Sequence, residues 1–261
     1  MTRRIEPVMG TVVGVDVRSP AAAGVIDAAL DAFFATLRDV DARFSPYRPD
    51  SEISRIADGA LAESDASADV RFVLAACDHL AASTEGAFDA RRHRADGRLD
   101  PSGFVKGWAV DAAAHHLDDA DLGCYAINAG GDLLVRGAPE LAHGWRVGIQ
   151  HPAARDRLAA RIEVRGGAVA TSGLYERGAH IRDPRSGTVP SELASLTVVG
   201  PELTWSDAYA TAAFTMGRAG LAWVEGHPGY GAIAVTRDEQ LLWSQTAAPL
   251  LTNVSGAGAT I

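Results

Sequence analysis

In the stretch TWSDAYATAAF, residues 204–214, Asp207 and Thr211 stand four residues apart in a helix-forming, mostly apolar segment. On an α-helix that spacing places both side chains on one face, a turn apart. A carboxylate stacked over a hydroxyl forms the oxygen-rich half of a metal site. The same residues also read as an ordinary helix start, with Ser206 as the cap and Asp207 offsetting the positive end of the helix dipole. The residues of this stretch leave both readings open.

Three other stretches carry chemistry-bearing residues. LDPSGFVKGWAVD (99–111) places Asp100, Ser102, Gly103 and Lys106 at a loop-to-helix junction. Free backbone N–H groups at such a junction favour an anion, and Lys106 is within reach of a phosphate bound there. The plainer reading, a helix capped by Ser102, accounts for the serine but not for Lys106 followed by Gly107. NAGGD (128–132) follows a strand. It is neither GxGxxG nor a Walker loop, so it reads as a hairpin turn or as a place where backbone approaches a ligand closely. TSGLYERGAHIRDPRSG (171–187) sets His180 and Asp183 on either side of a short expected strand, with Tyr175, Glu176, Arg177 and Arg182 nearby.

The elements that must position these groups are legible in outline. Alternation of β-branched residues predicts a strand over 11–17, and helical periodicity predicts helices over 21–44, 67–83 and 105–119. A Pro-punctuated loop over 44–56 leads into a short helix capped by Asp50 or Ser51. Strands are expected within 124–137 and at 145–150, 161–164, 168–173, 180–187, 195–200, 230–236 and 241–245, interrupted by a helix over 206–217 that Gly217 ends. This mix predicts an α+β protein with one domain over 1–251, or two intimately packed lobes, and a loosely held small-residue tail over 252–261.

Composition bounds the function. With 261 residues, 47% of them hydrophobic, the chain can build a core without staples. A net charge of −9 argues against a general nucleic-acid binder, which needs a basic footprint. Cys77 and Cys124, with no CxxC spacing, read as small hydrophobes; a disulfide between them is not demanded. There is no apolar run of signal-peptide or membrane-spanning length and no cysteine near the start for lipid attachment, which predicts a cytoplasmic protein without membrane insertion.

Taken in order, MGT (9–11), YRPDSEISRI (47–56), GAFDA (86–90), LDPSGFVKGWAVD, INAGGDLLVRG, WRVGIQHP, VATSGLYERGAHIRDPRSG and SDAYATAAF resemble one family, the ApbE-like FAD:protein FMN transferases. The resemblance runs almost end to end. It implies an enzyme that binds FAD with Mg²⁺, cleaves the pyrophosphate, joins FMN through a phosphoester to a Ser or Thr of an acceptor flavoprotein, and releases AMP. It also implies that Asp207 and Thr211 are side-chain ligands of the metal and that Gly103 supplies a backbone carbonyl to it. Met9, Tyr47, Ala87, Phe88, Asp89, Asp100 and Lys106 fall on flavin-nucleotide-contacting positions. His180 falls where the family places a residue that assists proton removal from the acceptor, so His180 and Asp207 are the expected catalytic residues. The connection between GAFDA and LDPSG is shorter than in many relatives. Two neighbouring activities remain open at this stage: a Mg²⁺-dependent FAD pyrophosphatase that releases free FMN, and an FAD-binding protein without turnover.

Overall fold

The computed structural model describes residues 1–92, 94, 96–140, 142–173, 182–254 and 258–260. The chain opens with strands β1 (Thr2–Val8) and β2 (Thr11–Val17), followed by helices α1 (Ala23–Phe44), α2 (Glu52–Ala57), α3 (Ala68–Ser83) and α4 (Ser102–Asp119). Strands β3 (Tyr125–Ala129), β4 (Asp132–Arg136), β5 (Trp145–His151), β6 (Ala154–Val164), β7 (Gly167–Gly173) and β8 (Leu193–Gly200) come next. Helices α5 (Leu203–Met216) and α6 (Ala219–Glu225) then lead to β9 (Gly231–Thr236), β10 (Leu241–Trp243), β11 (Leu251–Val254) and β12 (Gly258–Thr260).

Among the described residues, nine strands pair in the order β1-β2-β3-β4-β7-β8-β9-β10-β12, and β11-β6-β5 form a smaller sheet. Neighbours in the large sheet run antiparallel except β10 and β12. Side chains alternate across it. Val15, Ile127, Ala170, Val198 and Ala234 face the helices and pack with Phe33, Phe34, Val110 and Ala208. Val135, Val169, Val199, Ile233 and Val235 face the small sheet and meet Val147, Ile149 and Ile162. The two cores share the large sheet, so the chain is one layered α+β body.

Covering decides how each strand reads in sequence. Strands β8 and β9 are buried on both faces and are nearly continuous apolar runs. Strand β1 has neither advantage: Arg4 and Glu6 face α1, where they pair with Asp31 and Arg38, and Ile5 is exposed on the other side. Its polar sequence, TRRIEPV, hid it.

The stretch 124–137 is the β3–β4 hairpin, with Gly130 and Gly131 at φ of 62° and 101° as its turn. Two successive left-handed residues are what a two-residue hairpin requires and what glycine supplies without strain. Two expectations need correction. Helix α4 starts at Ser102, three residues before the periodicity becomes clear. The described part of 180–187 is a turn, not a strand: Asp183 donates its N–H to the Thr188 carbonyl at 2.8 Å and accepts from the Gly187 N–H at 2.7 Å. Pro184, with no N–H to give a ladder, suits that turn. Cys77 and Cys124 are both free thiols. Within 252–261, Thr252–Val254 belong to β11 and Gly258–Thr260 pair with β10. Among the described residues no helix is long and apolar enough to cross a membrane.

Candidate functional site

Helix α5 is buried around most of its circumference, which its small, apolar sequence permits. It begins at Leu203, earlier than its sequence suggests, and its first turn is capped from another helix. Asp111 of α4 accepts from the Leu203 N–H at 3.2 Å, the Thr204 N–H at 2.7 Å and the Thr204 hydroxyl at 2.6 Å. Ser206 is therefore not the cap; its hydroxyl donates to the Glu202 carbonyl at 2.8 Å. Asp207 lies in the second turn, where its carboxylate is not needed to satisfy helix-end amides. Gly107 explains the nearness of α4: a Cβ there would collide with the Leu203 carbonyl. That backbone approach sets Lys106 beside Asp207.

Asp207 and Asp132 are both buried, at 6% and 3% exposure, and share the Lys106 ammonium. Lys106 Nζ pairs with Asp132 Oδ2 and lies 3.5 Å from Asp207 Oδ1. Asp132 Oδ1 accepts the Thr171 N–H of β7 at 2.9 Å. One turn along α5 from Asp207, the Thr211 hydroxyl lies 3.2 Å from that of Ser172. Gly103 is wedged next to Thr211 and Phe88: a Cβ on it would stand 3.2 Å from Phe88 Cε2 and 3.9 Å from Thr211 Cγ2.

Asp207 Oδ2 is buried and has no hydrogen-bond partner among the described residues. Burial pushes the Asp207 carboxyl above the ordinary carboxylate range; Lys106 opposes this and the Asp132 charge adds to it. A buried anionic oxygen without a donor is costly unless a cation meets it. The donors at hand are oxygens only, which suits a hard divalent cation such as Mg²⁺. Among the described residues, no three His, Cys, Asp or Glu side chains converge as a ready-made cage. Such a site is completed by oxygens from a ligand, as Mg²⁺ sites with one or two carboxylates commonly are.

The other expected residues lie at different depths. Pro101 holds the N-cap position of α4, and Asp100 just before it accepts the Ser102 N–H at 3.0 Å, so Ser102 is not the cap. Arg94 pairs with Asp100 at 3.4 Å and its guanidinium lies 5.7 Å from the Tyr47 ring centroid. Tyr47 itself is 81% exposed. Ala87 and Phe88 are buried, and the Phe88 N–H donates to the Thr84 hydroxyl at 3.1 Å. Asp89, half-buried, accepts the Arg91 N–H at 2.8 Å. Met9 occupies the β1–β2 turn with φ of 55°. That turn abuts the glycine hairpin, since Gly130 donates its N–H to the Val12 carbonyl at 3.1 Å. His180 lies outside the described residues. Sequence reasoning missed Asp132, Ser172, Arg94 and Asp111. Asp132 had a signal, because NAGGD was singled out, but for its glycines.

The architecture is that of a flavin transferase fold: a structure of the enzyme from Vibrio cholerae superposes with a TM-score of 0.83 at 23% identity, covering 96% of this chain and 99% of that one. Residues 9–91 and 90–234 match the ApbE family, and the chain belongs to that family. An FAD:protein FMN transferase of Haemophilus influenzae is 26% identical over 245 residues, 70% of this chain and 71% of its own length. One from Klebsiella pneumoniae is 30% identical over 129 residues, a stretch that covers 46% of this chain and only 37% of the relative.

Proposed function

We propose that this chain is a Mg²⁺-dependent FAD:protein FMN transferase, acting on FAD and on an acceptor flavoprotein that presents a Ser or Thr hydroxyl. The observation that carries the reading is the buried, partnerless Asp207 Oδ2, one helical turn from the Thr211 hydroxyl and beside the lysine shared with Asp132. Asp207, Thr211 and the Gly103 carbonyl would hold the cation. Bound there, Mg²⁺ would supply charge neutralisation for the diphosphate and for the leaving phosphate. Lys106 adds a second positive charge for the diphosphate. Phe88 with Ala87, Asp100, Asp89, Tyr47 and Met9 would orient the flavin nucleotide, the first two from the interior and Tyr47 from the rim.

The reaction exchanges the phosphoanhydride linkage of FAD for a phosphoester to the acceptor. The acceptor hydroxyl oxygen bonds to the FMN phosphorus, the bond from that phosphorus to the bridging oxygen breaks, and AMP leaves with the electron pair. His180 is assigned the hydroxyl proton, a duty suited to a neutral imidazole near pH 7.

The test measures AMP release from FAD with and without Mg²⁺, with and without an acceptor domain, alongside flavin fluorescence in a denaturing gel. Mg²⁺-dependent AMP with flavin fixed to the acceptor is the expected result. AMP without covalent flavin would make the protein an FAD pyrophosphatase. No AMP under any condition would leave an FAD-binding protein without turnover.

A further inference from the structure

In the seam where α4, α5 and β4 meet, Asp132 is more deeply buried than Asp207, and the reading above gives it no task beyond sharing Lys106. It is the first residue of β4, placed by the left-handed pair Gly130–Gly131, and the Thr171 N–H of β7 fixes its carboxylate to the sheet. Lys106 comes to it from α4 and is drawn closer to Asp132 than to Asp207, at 3.5 Å from the latter. We infer that Asp132 is a positioning residue: it holds the Lys106 ammonium off Asp207, keeping the second Asp207 oxygen open for a divalent cation. This rests on the transferase reading of the same site.

The physical reason is competition for one anion. In a buried site the attraction between an ammonium and a carboxylate is poorly screened. Lys106 reaches Asp207 already, so with no counter-anchor it would close onto that carboxylate and occupy the space a metal needs. Asp132 cannot follow the lysine toward Asp207, because its other oxygen is bonded to the backbone of a central strand. The lysine is thereby parked beside the cation position, where it serves the diphosphate, and not in it. Asp132 could favour the cation in two ways, through its own charge or through its hold on Lys106. If Asp132 acted only as a nearby negative charge, it would favour the cation whether or not Lys106 were present. If it acts by restraining Lys106, its effect disappears with the lysine.

A double-mutant cycle distinguishes these. Equilibrium dialysis of FAD across a Mg²⁺ titration gives the half-saturating Mg²⁺ for wild type, Asp132→Asn, Lys106→Met and the double variant, with thermal unfolding run on each. Asparagine keeps an oxygen for the Thr171 N–H while removing the charge. We expect Asp132→Asn to raise the half-saturating Mg²⁺ about tenfold in the wild-type background and less than about twofold in the Lys106→Met background, a coupling of ordinary size for contacting residues. Equal losses in both backgrounds, or no loss in the wild-type background, would overturn the inference while leaving the transferase reading intact. No Mg²⁺-dependent FAD retention by wild type would overturn both. If Asp132→Asn does not fold, Asp132→Glu takes its place in the same cycle. It keeps the charge but moves the carboxylate by one methylene off its anchor, and its loss is again expected only where Lys106 is present.

Discussion

Asp207, proposed to hold the cation, and Tyr47, proposed to meet the flavin nucleotide, belong to one candidate site, yet the first is 6% exposed and the second 81%. Around Asp207 the neighbours are imposed by packing. Gly107 lets α4 touch α5, Asp111 caps α5 across that contact, and a central strand anchors Asp132. Around Tyr47 the neighbours are mostly surface charges: Arg94 lies over the ring and reaches exposed Asp96 as well as buried Asp100, while Arg48 pairs with Asp50 at 3.3 Å. Exposed ion pairs of that kind contribute little to stability. The contacts around Asp207 are therefore fixed by the packing of the core, whereas those around Tyr47 are made at the surface. Substitutions in the seam should strike turnover or folding, and substitutions on the rim should strike only affinity.

The largest effect is expected from Asp207→Ala. Losing the carboxylate proposed to hold the cation should lower Mg²⁺-dependent AMP release by about a thousandfold, the several kcal/mol a metal ion supplies to a phosphoryl transition state. Thermal unfolding should stay level or rise, because a buried, partnerless carboxylate oxygen costs stability in the folded metal-free protein. Near-wild-type turnover in this variant would dissolve the seam as the reacting centre.

Asp111→Ala probes the same seam through folding. It removes three hydrogen bonds from the start of α5, with a loss of about 2 kcal/mol judged by other caps. Urea denaturation should show the loss, and turnover per folded molecule should fall with it, because Asp207 is one turn away. A stability change near zero would mean that α5 is seated by its apolar faces alone.

How legible each part was in sequence follows the same division. The Asp207–Thr211 pair was visible because four-residue spacing is a property of one helix. The Asp111 cap was not, because it joins residues 92 positions apart and exists only once α4 lies on α5. Ser206 drew attention as the nearest capping residue, and the true first turn, Leu203–Ser206, carries no side-chain cap of its own. Asp132 was hidden by its own motif, whose glycines explain the turn while the aspartate pairs with Lys106. Doubly covered strands such as β9 announced themselves as apolar runs, whereas β1 was disguised by ion pairs to α1.

A pH comparison sharpens the account of Asp207 as a group strained by burial. Its carboxyl is pushed up to about 7 by burial, so in the metal-free folded protein it keeps a proton that the unfolded chain releases near the ordinary aspartate value of 3.8. Folding then binds more protons than unfolding across that window, and this group's contribution to stability falls as pH rises through it. Denaturant titrations at several pH values should show wild type losing ground to Asp207→Asn between those limits, the other carboxylates being common to both. A constant difference between the two proteins would contradict the sign. Mg²⁺ should reduce the difference in the upper part of the window, because a bound cation favours the ionised carboxylate.

The smallest effect belongs to the rim. Tyr47→Ala should raise the KM for FAD about threefold with kcat and unfolding temperature unchanged, the worth of one exposed aromatic face near a cation. Tyr47→Phe should restore it, since the ring and not the hydroxyl makes the contact with Arg94. Arg94→Ala should raise KM similarly, and the double variant should lose less than the sum, because Arg94 acts partly by steadying the ring. If instead Tyr47→Ala lowers kcat and leaves KM alone, the exposed ring belongs to the reacting assembly and the contrast between seam and rim fails at its outer edge. If neither changes, the ligand is held wholly by the seam and by the residues around Phe88.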